Sequence, residues 1–195
     1  TRVMATVGME VTHEMTVKTM GVRTQEVIEM LYRLHRWEGK SQEQIIEEIL
    51  DDVIGLIRER GGPMAGIPEA FQFPTARGIP LALASSSPMP VIDAIVDKLG
   101  VRDAFVNVFS AEKEPFGKPH PAVFLTTARH LGIRPDACLV VEDSINGVIA
   151  AKAAKMRAVA IPEPFLYEAP QFGIADHKLR SAIELTPVTW EQLLA

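Results

Sequence analysis

The sequence has a single cysteine, Cys138, in 195 residues. No disulfide can close within the chain, so its core alone must hold it, an arrangement that suits the reducing cytoplasm. It has no surplus of positive charge: the net charge is −5 with acids and bases interspersed. No basic stripe is available to follow a phosphate backbone, which excludes nucleic acid as a partner. No apolar run reaches the roughly 18 residues of a membrane span. The opening TRVMATVGME has neither the charged nor the apolar region of a signal peptide, and it lacks an initiator methionine. The expectation is a cytoplasmic protein whose gene begins upstream of Thr1. The five histidines, His13, His35, His120, His130 and His177, show no paired ligand spacing. Repeats and low-complexity segments are absent, and nothing marks an oligomeric state.

What is present suffices for a packed α/β protein. Hydrophobic residues make up 47%, ordinary for a domain that folds without staples. From Thr24 to Arg60 the pattern is helical. Val27, Ile28, Met30, Leu31 and Leu34 recur on one face, Trp37-Glu38-Gly39 interrupts, and Ser41 with Gln44 reads as a capping box. Ile45, Ile46, Ile49, Leu50, Val53, Ile54 and Ile57 then form a second apolar stripe, ended by Gly61-Gly62-Pro63. The methionines Met4, Met9, Met15 and Met20 read as adaptable packing.

After that boundary the texture changes. IPLALASSS, AFVNVFSAE, ACLVVEDS and RAVAIP read as strands. PMPVIDAIVDKLG, HPAVFLTTARHLG and SINGVIAAKAAKM between them read as helices, with Gly100 and Gly132 as stops. Strand and helix in alternation predict a doubly wound parallel sheet. Pro74 in FQFPTARG is expected to break the helix ahead of the first strand.

In an open parallel sheet the ligand lies beyond the carboxyl ends of the strands. The residues just past the apolar runs are Ser85-Ser86-Ser87, Lys118 in FGKPHP, and Glu142-Asp143 in LVVEDSINGVIAA. Two adjacent carboxylates repel, so a fold that sets them at a strand end normally places a cation there. Oxygen ligands suit a hard ion such as Mg2+ better than zinc. Lys118 supplies a point charge for a phosphoryl oxygen or an anionic nucleophile. The three serines sit at a strand-to-helix turn where hydroxyls and amides can cradle an anion. Each motif also has a structural reading: serines before Pro88 as a helix cap, Lys-Pro-His-Pro as a turn, and the acids as the start of a capped helix. Their joint occurrence in this order favours a phosphate and a divalent ion.

LALASSS, GKPHPAVF and VVEDSINGVIAAKAAKM, in that order, resemble motifs two, three and four of the haloacid dehalogenase-like phosphatases. TMGVRTQEVIEML resembles the helical cap, and ADHKLRSAIELT the closing strand, of the branch that contains β-phosphoglucomutase and 2-deoxyglucose-6-phosphate phosphatase. The resemblance implies a Rossmann-like core at residues 63–195 and a small helical cap at 1–62. It implies that Ser85 bonds the transferring phosphoryl group with Ser86 beside it, that Lys118 balances charge, and that Glu142 and Asp143 hold Mg2+. Ser87, Gly21 and Arg23 would face the substrate, a small phosphorylated metabolite.

One family feature is missing. Members open on a D-x-D strand whose first Asp attacks phosphorus and whose second acts as general acid and base. Asp51-Asp52 lies in a helical pattern, and Asp103, Asp136 and Asp176 have no acidic partner two residues on. The reading is therefore a core without its first strand, and a chain that is inactive by itself. The intact protein would be a Mg2+-dependent sugar phosphatase. The alternatives are a β-phosphoglucomutase-type phosphotransferase or an inactive protein that binds phosphorylated ligands or a partner.

Overall fold

The computed structural model describes residues 2–194. Its first third is helical, with α1 (Arg2–Ala5), α2 (His13–Lys18), α3 (Thr24–Leu34) and α4 (Gln42–Arg60). The capping box at α4 forms as read: Gln44 N donates to Ser41 Oγ at 3.2 Å, and Ser41 N donates to the Gln44 side chain at 2.8 Å. A cap of this kind stabilises a helix start by about 1 kcal/mol. Met4, Met9, Ile28, Leu31, Trp37 and Ile45 build the buried centre of this part. The expected stripe on α3 is narrower than read, because Ile28 and Leu31 are buried while Met30 and Leu34 are exposed. Val27, Ile28 and Leu31 pack on that centre, while Met30 and Leu34 face solvent.

Then follow α5 (Ile67–Ala76), β1 (Ala82–Ser85), α6 (Met89–Leu99), β2 (Asn107–Ser110), α7 (Ala122–Leu131), β3 (Leu139–Glu142), α8 (Ile145–Ala153), β4 (Arg157–Ala160), β5 (His177–Lys178) and α9 (Pro187–Leu194). The strands and helices read from the sequence are present, and Gly100 and Gly132 end α6 and α7. Pro74 corrects the expectation: α5 runs through it. The ring costs α5 the bond that an amide at 74 would give Ala70 O, but only two helical residues follow it, so the break falls at the end of the helix. Its carbonyl still accepts from Arg77 N and Ile79 N at 3.2 and 2.9 Å.

Every strand pair is parallel. β1 pairs with β2, and β3, β4 and β5 form a second sheet in that order. Successive β4 side chains point to opposite faces. Ala158 and Ala160 enter a cluster with Val123, Phe124, Val148 and Ala151 of α7 and α8. Val159 meets Phe73 of α5 and Trp190 and Leu193 of α9 on the other face. Helices on both faces of parallel strands make this a doubly wound, Rossmann-like α/β fold.

Ala84 of β1 and Val140 of β3 pack on the same cluster, yet among the described residues the two strands share no backbone pairing. Cys138 O and Glu142 O accept from Arg157 N and Ile161 N on the β4 side, at 3.1 and 2.7 Å. Backbone groups alternate in direction along a strand, so those of Leu139 and Val141 face away from β4, toward β1. Cys138 itself is only partly buried against the core. No helix among the described residues is long and apolar enough to cross a membrane.

Candidate active site

Two strand ends, those of β1 and β3, meet at Lys118. Its side chain is 5% exposed, and its ammonium forms an ion pair with Glu142 Oε1 and donates to Ala84 O at 3.2 Å. It also lies 4.6 Å from the centre of the Phe124 ring. An ammonium has three donors, and these contacts use two. A buried pair of this kind adds little net stability, but removing one partner strands a charge in a dry site at a cost of about 3–5 kcal/mol.

Glu142 is held on its other oxygen as well. Oε2 accepts from Ser144 N at 3.1 Å and from Ser144 Oγ at 2.9 Å, while Gly147 N donates to Ser144 Oγ at 3.0 Å. The carboxylate thus covers the start of α8, where the helix dipole favours negative charge. Gly147 makes this possible, since a Cβ there would overlap the Glu142 carboxylate. The helix-cap reading of the acid pair therefore applies: Ser144 caps α8 directly after Glu142 and Asp143 at the end of β3.

Asp143 differs from its neighbour. It forms no ion pair among the described residues and reaches solvent. Surrounding protein limits its hydration, and this, with the charge of Glu142, raises its carboxyl above the usual range. The described residues bring together no group of three or more His, Cys, Asp or Glu side chains that could hold a metal ion. The donor chemistry fits a hard cation that keeps its waters and borrows phosphate oxygens, with Asp143 as the available carboxylate and Glu142 committed first to Lys118 and Ser144.

The serines divide their work. Ser85 Oγ accepts from Ser87 N at 3.1 Å, leaving its own O–H to donate outward. Ser86 is buried and donates to Gly21 O at 2.6 Å. Ser87 O accepts from Ser110 Oγ at 2.7 Å. Part of the anion cradle expected at the start of α6 is filled by protein, because Met89 N donates to a Glu112 carboxylate oxygen at 3.2 Å.

Gly21 and Arg23 come from the helical part and rest on the α/β part. Gly21 has φ 77° and abuts Ser144 with no room for a side chain. Asn146 Nδ2 donates to Met20 O at 2.8 Å. Arg23 Nη1 donates to Ala111 O and Glu114 O at 3.3 and 2.9 Å, and Nη2 pairs with Glu26. Ser144, Asn146 and Glu112 were not singled out from sequence. Ser144 and Asn146 lie within the quoted Ser-Ile-Asn-Gly, but Glu112 carries no local signal. A cavity of about 600 Å³ opens between the parts, lined in part by Val22, Glu26, Phe116, Lys118 and Ile149.

A family model described as haloacid dehalogenase-like hydrolase matches residues 8–155. The chain belongs to that family. Hexitol phosphatase B of Escherichia coli K12 is 37% identical over 94% of this chain and 83% of its own length. Phosphoglycolate phosphatase of the same organism is 29% identical over 76% of this chain and 60% of its own length. Among solved structures, β-phosphoglucomutase from Clostridium difficile superposes with a TM-score of 0.87 at 22% identity, covering 99% of this chain and 86% of that one. The phosphate complex of CbbY from Rhodobacter sphaeroides gives 0.82 at 24% identity, covering 94% and 85%. This haloacid dehalogenase-like hydrolase is an enzyme of that family and has the fold of β-phosphoglucomutase.

Proposed function

We propose that this hydrolase is a Mg2+-dependent cytoplasmic phosphatase for a small sugar phosphate of the hexose or hexitol type, working through an aspartyl phosphate. In this reading residues 1–62 are a cap and 63–195 a core, a division supported by the separate apolar clusters on either side of Gly61-Gly62-Pro63. The attacking Asp belongs to a strand, outside the 195 residues, that lies between β1 and β3. The observation that carries the reading is Lys118, bonded at once to the end of β1 through Ala84 O and to the end of β3 through Glu142. A buried ammonium fixed between two unpaired strand edges is where an anionic nucleophile and a phosphoryl group find their counter-charge.

Each residue of this chain then has a role. The remaining donor of Lys118 steadies a phosphoryl oxygen, while Glu142 fixes where the ammonium sits. The free O–H of Ser85 bonds a second phosphoryl oxygen, and Ser86 and Ser87 keep the turn in shape. Asp143, with Glu142 behind it, would hold Mg2+, which when bound supplies positive charge to the transferring group. Seating the cap excludes bulk water from the reacting centre.

The test is phosphate release from hexitol and hexose phosphates by the protein as its gene encodes it. Asp143→Asn is expected to abolish Mg2+-dependent release, and retained activity overturns the assignment. Isomerisation without release would replace the phosphatase with a mutase.

A further inference from the structure

Arg23 has its donors turned to protein rather than to a ligand. Its side chain is 17% exposed, two carbonyls at the 111–114 turn and the Glu26 carboxylate occupy its Nη atoms, and Nε is buried without a partner. The planar fork suits two carbonyls at the end of a turn, where the backbone is locally negative. From that turn two bonds run onward. Glu112 accepts from Met89 N at the start of α6, and Ser110, whose hydroxyl accepts from Glu112 N at 3.1 Å, donates to Ser87 O. Gly117, next to Lys118, packs against Arg23 and Glu26 so closely that a Cβ has no space.

We propose that Arg23 is a positioning residue: seated on the 111–114 turn, it sets that turn, and through Glu112 and Ser110 it fixes the Ser85–Ser87 loop. The phosphate-binding loop is then in working shape only when the helical part is docked. This rests on the phosphatase reading for its consequence in turnover, but not for the coupling itself.

Amide hydrogen exchange on the ligand-free, gene-encoded protein separates the two. In Arg23→Met, exchange at Met89, Glu112 and Glu114 is expected to quicken about tenfold, the loss of one or two charge-assisted bonds. Turnover of a sugar phosphate should show a fall in kcat larger than the rise in KM. Arg23→Lys should restore only part, because one ammonium cannot span both carbonyls and Glu26 as the fork does. If Arg23→Met fails to fold, Gly117→Val, which wedges the fork aside without removing its charge, is expected to quicken the same amides. Unchanged exchange in the folded variants, with or without a raised KM, would overturn the coupling and return Arg23 to a substrate contact. Absence of phosphatase activity in the unmodified protein would sink the functional reading and leave the exchange result to decide the coupling alone.

Discussion

β3 and β4 are neighbours in one sheet, and composition alone would rank them wrongly. Leu-Val-Val-Glu is more apolar than Arg-Ala-Val-Ala, yet Ala158, Val159 and Ala160 of β4 are fully buried while Val141 of β3 is 42% exposed. The difference is one of neighbours. β4 is paired on both sides and covered on both faces, whereas among the described residues β3, like β1 across from it, has a strand on one side only. A strand's burial is set by what lies beside it as much as by its own side chains. The contrast sets the open edges of β1 and β3 beside Lys118, which bonds to the ends of both.

The largest expected effect comes from the group that touches both open edges. Lys118→Met should cost about 3–5 kcal/mol in denaturant unfolding, because Glu142 is left buried without its counter-charge. Any turnover should fall at least about a hundredfold. A cost near zero would mean that the ammonium is not tied to both strands.

The comparison itself is broken or upheld by two valines on adjacent strands. Val159→Ala should lose about 2 kcal/mol, and Val141→Ala under about 0.5 kcal/mol. Equal losses would show that β3 is as well covered as β4. Ser144→Ala removes both the α8 cap and a donor to Glu142, and should cost about 1–2 kcal/mol in the same measurement.

The closed side offers the smallest and most pH-specific effect. Burial tends to raise the Asp176 carboxyl, but bonds from Lys152 and Ala158 N overcome it and hold the group below the usual range. A lowered folded value means the stabilisation is complete above the ordinary Asp range and is lost as pH falls through the folded value. Asp176→Asn should therefore lose about 1 kcal/mol at neutral pH and flatten the acid limb of a stability profile. An unchanged acid limb would place the dependence elsewhere.

Much of this was legible in the sequence because the signals were local. The Ser41 box, the glycine stops and the apolar runs each specify an element from a few residues. The meeting of Lys118 with the ends of β1 and β3 followed from parallel-sheet geometry, which puts strand ends in one crevice. Pro74 misled because it does end a helix, but two residues after itself rather than before, so the helix ahead of the first strand forms. The bonds of Ser86 to Gly21, of Arg23 to Ala111 and Glu114, and of Met89 to Glu112 were not legible, since each joins residues more than 20 positions apart. Exposure of Met30 and Leu34 likewise depends on which neighbours a helix meets.

The most direct measurement traps the phosphorylated intermediate of the gene-encoded protein on a sugar phosphate and maps the modified residue by mass spectrometry. The account predicts an aspartyl phosphate on a residue outside the 195 described by this sequence, on the strand that fills the space between β1 and β3. A phosphorylated residue within these 195 would contradict it.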